Sequence, residues 1–164
     1  MCNGFLFFVL FGFVVSTACS KIEPVPTAQE RNVIDEEAIQ KYFVDNNITG
    51  YTKTEKANYF VIDSAMPGAQ KLERGMVVFV NYKGYLVKNK QRFDSTDAGD
   101  PPFRFTLGRK EVIAGWDEAL VNFRVGEVGR IFIPSAQGYG AADRGANLPS
   151  FSNLVFEIKV VNAQ

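Results

Sequence analysis

The sequence predicts an α+β fold in which a predominantly antiparallel sheet is covered on one face by a single helix. From about residue 57 the chain consists of short runs of β-branched and aromatic residues separated by turn residues, which is the pattern of strands. Residues 111–123 instead carry apolar side chains at helical spacing, and residues 154–161 alternate between apolar and polar side chains. Short strands with one helix able to cover a face favour the α+β class.

An amphipathic helix is predicted ahead of the sheet, within a helical segment that covers residues 27–56. Thr27 and Glu30 have the spacing of a capping box, which starts a helix. Behind them, apolar residues recur every four positions over about residues 28–46. These residues are Ile34, Ala38 and Tyr42. Ile39 and Phe43 form a second pair with the same spacing of four positions. Two interpretations remain open: a helix that packs on the domain or spaces it from a membrane, and a helix for dimerisation or client contact.

The elements of the main domain follow in order along the chain. The predicted strands are residues 59–62, 76–82, 103–107, 130–134 and 154–161. Turns are expected at residues 66–69 and 88–90, and a long glycine-rich loop covers residues 135–153. The apolar face of the helical stretch is formed by Ile113, Trp116, Leu120 and Phe123. The last strand presents one apolar face, made of Leu154, Phe156, Ile158 and Val160.

The composition excludes several classes of function. The 164 residues suffice for one compact domain with an appendage, and 18 basic and 18 acidic side chains leave no net charge. Without a basic surplus, nucleic-acid binding is not expected. The absence of histidine excludes Ser-His-Asp and Cys-His catalysis and His-ligated metal sites. Cys2 and Cys19 cannot form a disulfide framework or a four-ligand zinc site, so no metal or cofactor is expected.

The N-terminus has the features of a targeting segment. Residues 1–20 carry no charged side chain, and residues 5–15 form an apolar run of signal-peptide length, followed by small residues. The segment resembles a bacterial lipoprotein signal, which implies a signal peptide over residues 1–18 and lipidation of Cys19. Residues 19–26, with Pro24 and Pro26, would form a lipidated tether. The alternatives are an ordinary secretory signal cut near Ala18 and a short membrane anchor.

Nine short segments of the domain occur in a distinctive order and spacing. They are VNYKG (80–84), FDST (93–96), FRF (103–105), LG (107–108), EVIAGWDEAL (111–120), VGE (125–127), IP (133–134), GYG (138–140) and LVF (154–156). Together they resemble the FKBP-type peptidyl-prolyl cis-trans isomerases over about residues 57–162. The resemblance implies an isomerase domain over residues 57–164, built as a twisted antiparallel sheet wrapped around one short helix. The late loop departs from the family, with Arg144 in a segment where many members have a histidine.

The resemblance also implies an aromatic pocket for a substrate proline. Trp116 would form its floor, Asp94 would orient the amide carbonyl region, and the Tyr139 hydroxyl would donate to a substrate carbonyl. The residues expected to act on the amide are Asp94, Tyr139, Trp116 and Phe93. The residues expected to bind the substrate are Tyr82, Phe103, Val112, Ile113, Leu148 and Phe156. Among them, Leu148 would cover the pocket from the late loop.

Such a pocket suits the chemistry of the peptide bond before proline. Rotation about this bond crosses a barrier of ~18–20 kcal/mol and takes tens to hundreds of seconds unaided. The twisted amide is less dipolar than the planar one, so a dry apolar site disfavours the twisted form less than the planar ground state. Lowering the barrier by roughly 5 kcal/mol accelerates rotation between about 10³- and 10⁴-fold without any acid, base or metal.

The sequence therefore predicts a peptidyl-prolyl isomerase that assists the folding of exported or envelope proteins. Its expected partners are proline-containing segments of unfolded proteins, macrolide inhibitors of the rapamycin type, and a bacterial membrane reached through the lipid anchor. The expected location is the cell envelope, facing the periplasm or the exterior. The alternative is a non-catalytic module that binds proline segments as a chaperone or an assembly part of an envelope machine, such as one for gliding.

Overall fold

The computed structural model describes residues 25–164, so the predicted signal peptide, Cys19 and most of the predicted tether lie outside the described residues. Within this part of the chain, the helices are α1 (Ala28–Asp45) and α2 (Ala114–Ala119). The strands are β1 (Thr52–Lys53), β2 (Tyr59–Ser64), β3 (Val77–Leu86), β4 (Arg92–Ser95), β5 (Phe103–Thr106), β6 (Val128–Ile133) and β7 (Leu154–Ala163). Neither helix is long and apolar enough to cross a membrane.

The strands form one antiparallel sheet in the order β1-β2-β6-β7-β3-β4, and β5 pairs with the first half of β3. The central pair of strands is β3 and β7, which pair from Val78 opposite Ala163 to Leu86 opposite Leu154. The pairing shifts register between Phe79 and Val80, and such irregularities increase the local twist of a sheet. The expected α+β fold, a twisted antiparallel sheet around a short helix, is confirmed.

The main core lies between one face of the sheet and α2. Alternate residues of β6 and β7 point to this face because successive side chains of a strand point to opposite faces. From these two strands, Ile131, Ile133, Leu154, Phe156 and Ile158 are all buried in this core. The helix contributes Trp116 and Ala119, and the 3₁₀ turn that follows contributes Leu120.

Gly115 allows α2 to approach the sheet closely. A Cβ atom at this position would lie 2.6 Å from Cγ2 of Ile133 on β6, which is far inside van der Waals contact. The segment leading into α2 is fixed by Asp117, a buried residue whose two carboxylate oxygens accept hydrogen bonds from the backbone N–H groups of Gly108 and Lys110. The next residue after Gly115, Trp116, is therefore held against the sheet.

Helix α1 covers the opposite face of the sheet. Ile39 and Phe43 pack there with Phe132 of β6 and Val155 of β7 in a second buried cluster. The Phe43 ring lies 4.7 Å from that of Phe132, with the two planes nearly perpendicular. Helix α1 therefore packs on the domain, as one of the two interpretations of this segment expected.

The structure differs from the sequence prediction in the details of both helices. The buried face of α1 carries Asp35, Ile39 and Phe43, whereas Ile34 of the predicted stripe is exposed. Helix α2 begins at Ala114, later than the predicted start at residue 111, because the backbone of Ile113 is still extended. The sheet also begins ahead of residue 57, since β1 lies within the predicted helical segment and pairs with β2.

We predict that Phe43→Ala lowers the free energy of unfolding by about 3–5 kcal/mol, the usual cost of deleting a buried phenylalanine ring. Phe43 is 2% exposed and joins α1 to the sheet. The matched control is Val44→Ala, one position along the helix, where the side chain is 77% exposed. The control should change the free energy by about 0.5 kcal/mol or less. Equal midpoints for the two variants in urea unfolding would show that α1 does not pack as described.

Candidate functional site

A cavity of about 530 Å³ opens beside the N-terminus of α2. Its lining comes from β3, β4, β5 and β7, from α2 and the segment that leads into it, and from the loop between β6 and β7. The lining residues are Tyr82, Asp94, Phe103, Glu111, Val112, Ile113, Trp116, Gly138, Tyr139, Arg144 and Phe156. Eight of the ten site residues expected from the sequence therefore line one cavity.

Trp116 forms the apolar floor of the cavity. Its side chain is 3% exposed. Ring centroids of Tyr82 and Phe156 both lie 5.1 Å from the indole, and that of Phe103 lies 6.1 Å away, all three with nearly perpendicular planes. Such edge-to-face arrangements are favoured by the quadrupoles of aromatic rings. The aromatic rings thus hold one another in place around the indole.

A hydrogen bond between Tyr82 and Asp94 closes one edge of the cavity. The Tyr82 hydroxyl donates to Oδ2 of Asp94 at 2.8 Å, and Oδ1 accepts from the backbone N–H of Ser95 at 2.9 Å. Strands β3 and β4 set this geometry by pairing Gly84 with Asp94. Burial, and secondly the bond to the carboxylate, raise the pKa of Tyr82 well above its ordinary value. The phenol therefore remains protonated near neutral pH and keeps the Asp94 carboxylate oriented.

Tyr139 also lines the cavity and lies in the loop between β6 and β7. Its side chain is half-buried, and burial raises the pKa of its hydroxyl, opposed by the nearby Arg144. The Arg144 guanidinium lies 4.4 Å from the centre of the Tyr139 ring, in the geometry of a cation–π contact. Tyr139 thus keeps its proton near neutral pH and can donate a hydrogen bond at the cavity edge.

Two of the expected site residues lie outside the lining. The Phe93 ring packs nearly perpendicular to that of Phe156, at 5.6 Å between centroids, and supports this wall of the cavity. Leu148 is buried in the main core. Its backbone N–H donates to Gly145, and its carbonyl accepts from the N–H of Arg144. Leu148 therefore anchors the late loop, whereas the sequence analysis expected it to cover the pocket.

The lining also contains residues that the sequence analysis did not assign to the site, namely Glu111, Gly138 and Arg144. The Glu111 carboxylate accepts a hydrogen bond from the backbone N–H of Thr106 at 2.8 Å, which lowers the pKa of this carboxyl. Glu111 begins the motif that contains Trp116, and Gly138 precedes Tyr139. Glu111 and Gly138 could have been assigned to the site from these neighbours in sequence, whereas no local sequence pattern indicated that Arg144 lines the cavity.

The arrangement is suited to holding an apolar ring between polar groups. The indole floor offers dispersion contacts to such a ring, while Asp94 offers a hydrogen-bond acceptor and Tyr139 a donor in the same cavity lining. Among residues 25–164, no three His, Cys, Asp or Glu side chains are grouped so that they could hold a metal ion. An apolar site with a few placed polar groups is typical of pockets that recognise small organic ligands or peptide side chains.

The fold and the cavity define a small α+β domain with an aromatic-lined pocket, and comparison with known families gives its class. The family model described as FKBP-type peptidyl-prolyl cis-trans isomerase matches residues 68–161, which is more than half of the chain. The chain therefore belongs to the FKBP-type peptidyl-prolyl cis-trans isomerase family. The family membership expected from the nine sequence segments is thus confirmed.

The matched segment makes up different shares of the length of individual relatives. FK506-binding protein 1A of Neurospora crassa is 38% identical over 94 residues, 57% of this chain and 78% of that protein. FK506-binding protein 2 of Kluyveromyces lactis is 37% identical over 94 residues, 57% of this chain and 67% of that protein. Peptidyl-prolyl cis-trans isomerase FKBP53 of Arabidopsis thaliana is 39% identical over 98 residues, 60% of this chain. The match spans only 20% of the length of that plant protein.

Proposed function

We propose that the protein is an active peptidyl-prolyl cis-trans isomerase that acts on proline-containing segments of unfolded proteins. The observation that carries this proposal is the buried Trp116 at the floor of the cavity, with Asp94 and Tyr139 in the same lining. Eight of the ten residues that the family resemblance implies for the site line this cavity, which supports the proposal. Membership of a family whose description and relatives' names specify this activity supports it further.

The geometry accelerates rotation through binding and desolvation. A proline ring placed on the Trp116 indole would bring the preceding amide close to the other lining residues of the cavity, among them Asp94 and Tyr139. There the planar amide loses the water that favours its larger dipole, and the Tyr139 hydroxyl donates to a carbonyl of the bound chain. Asp94, held by Tyr82 at 2.8 Å, presents a fixed negative charge near the rotating group. Such preorganised groups act without reorganisation during the reaction.

We predict that the purified protein accelerates cis-to-trans isomerisation of short proline peptides, and that Asp94→Ala lowers kcat/KM about tenfold. This loss is smaller than the roughly 10²–10³ caused by removing an oxyanion-hole donor, because desolvation by the aromatic rings remains. The assay should cover several residues before proline, with circular dichroism to establish folding. The matched control is Asp100→Ala, whose exposed carboxylate accepts from the backbone of Asp97 outside the cavity.

A macrolide of the rapamycin type should occupy the same cavity and inhibit the reaction. Loss of acceleration on adding the macrolide would place the activity in the cavity. No acceleration by folded wild-type protein on any peptide would contradict the isomerase proposal. If proline peptides still bound, the non-catalytic chaperone or assembly module would account for the site instead.

We also propose that residues 1–18 are a signal peptide and that Cys19 carries the lipid of a bacterial lipoprotein. The support is the uncharged, apolar start of the chain, with small residues directly before Cys19. Residues 19–26 would then tether the isomerase to a membrane of the cell envelope. Stable anchoring requires more than one acyl chain. In this position the protein would assist the folding of exported or envelope proteins.

We predict that Cys19→Ser moves the protein from the membrane fraction to the soluble fraction of a bacterial host and abolishes labelling by a radioactive fatty acid. The matched control is Cys2→Ser, because Cys2 and Cys19 are the only two cysteines of the sequence. Cys2 would leave with the signal peptide, so its replacement should leave both readouts unchanged. Fatty-acid labelling that survives in Cys19→Ser would refute lipidation at this residue.

A further inference from the structure

A buried carboxylate links α1 to the loop that carries Tyr139. Asp35 is 1% exposed and lies on the face of α1 that packs on the sheet. Its Oδ2 atom accepts hydrogen bonds from the backbone N–H of Ser135 at 3.0 Å and from the Ser135 hydroxyl at 2.6 Å. A buried carboxylate requires such partners, because an unpaired buried charge is strongly unfavourable.

Further hydrogen bonds connect Asp35 and Ser135 with the other end of the loop between β6 and β7. Ser135 begins this loop and Asn153 ends it, directly before β7. The Asn153 side chain accepts from the N–H of Ser135 at 2.9 Å and donates to the backbone carbonyl of Asp35 at 3.5 Å. Asp35 therefore contacts the two residues at which the loop leaves and rejoins the sheet.

Ser135 in turn holds the backbone on both sides of Tyr139. Its carbonyl accepts hydrogen bonds from the N–H of Gly138 at 3.1 Å and from the N–H of Gly140 at 2.8 Å. The 3₁₀ turn Ser135–Gln137 brings the chain back toward this carbonyl. A continuous series of hydrogen bonds thus runs from the Asp35 carboxylate through Ser135 to the two neighbours of Tyr139.

We propose that Asp35 is a positioning residue for the isomerase site: by fixing Ser135, it sets the place of the Tyr139 hydroxyl at the cavity edge. Helix α1 thereby becomes a part of the active domain, although it lies on the sheet face opposite to α2. The effect on catalysis rests on the proposed isomerase function, whereas the effect on the loop backbone does not. Small displacements suffice, because a misplacement of about 1 Å can cost roughly a hundredfold in rate.

The competing explanation is that Asp35 only stabilises the packing of α1. Ile39→Ala distinguishes the two, since Ile39 lies one turn away on the same face and is fully buried in the α1 cluster. This variant should lower the unfolding temperature while leaving the Ser135 contacts intact. Asp35→Asn is the conservative variant, because its side-chain oxygen can still accept from Ser135.

The test compares wild-type protein, Asp35→Ala, Asp35→Asn and Ile39→Ala at a temperature at which circular dichroism shows all four folded. For Asp35→Ala we expect kcat/KM on a proline peptide to fall about five- to tenfold, within the range that misplacement of a site group can cause. Amide hydrogen exchange by NMR should become faster at Gly138 and Gly140. Asp35→Asn should keep at least about half of the wild-type kcat/KM, since it retains the acceptor. Ile39→Ala should leave kcat/KM and both amides unchanged.

Two results would overturn the proposal. One is unchanged exchange at Gly138 and Gly140 in Asp35→Ala. The other is an equal loss of kcat/KM in Asp35→Ala and Ile39→Ala, which would assign the effect to general loosening of α1. If wild-type protein has no isomerase activity, the proposed function fails on its own, and the exchange of the two amides alone decides whether Asp35 holds the loop.

Discussion

The packing of Trp116 against three aromatic rings is the interaction on which both the core and the cavity depend. Tyr82, Phe103 and Phe156 meet the indole nearly at right angles, from three different strands. Each such pair contributes about 0.5–1.5 kcal/mol beyond the burial of its surface. The close approach at Gly115 makes the arrangement possible, because any larger residue there would collide with Ile133. One set of contacts therefore stabilises the domain and forms the floor of its site.

The second constraint is that the sheet is buried on both faces where β6 and β7 pair. Ile131, Ile133 and Phe156 point to α2 and the cavity side, while Phe132 and Val155 point to α1. The two helices therefore share the same strands as support. This explains how a helix on the far face can reach the ends of the loop that carries Tyr139.

Much of the fold follows from patterns that the sequence shows directly. The alternation of Leu154, Phe156 and Ile158 predicts the buried face of β7, because the side-chain period of a strand is two. The burial of Asp35 could not be predicted, since a charged residue in a helical pattern is read as exposed. Its partner Ser135 lies 100 residues away, and only the tertiary structure joins them. The burial of Leu148 in the main core was likewise not predictable, because the backbone path of a long loop is not encoded in any local period.

The most direct test of the account is an NMR measurement of contacts between a proline peptide and Trp116 during catalysed exchange. The chain has one tryptophan, so its indole signals are unambiguous. We expect cross-relaxation between the indole protons and the proline ring, at peptide concentrations at which the protein accelerates cis–trans exchange. Accelerated exchange with proline contacts only outside the cavity, for example to the exposed Phe151, would contradict it.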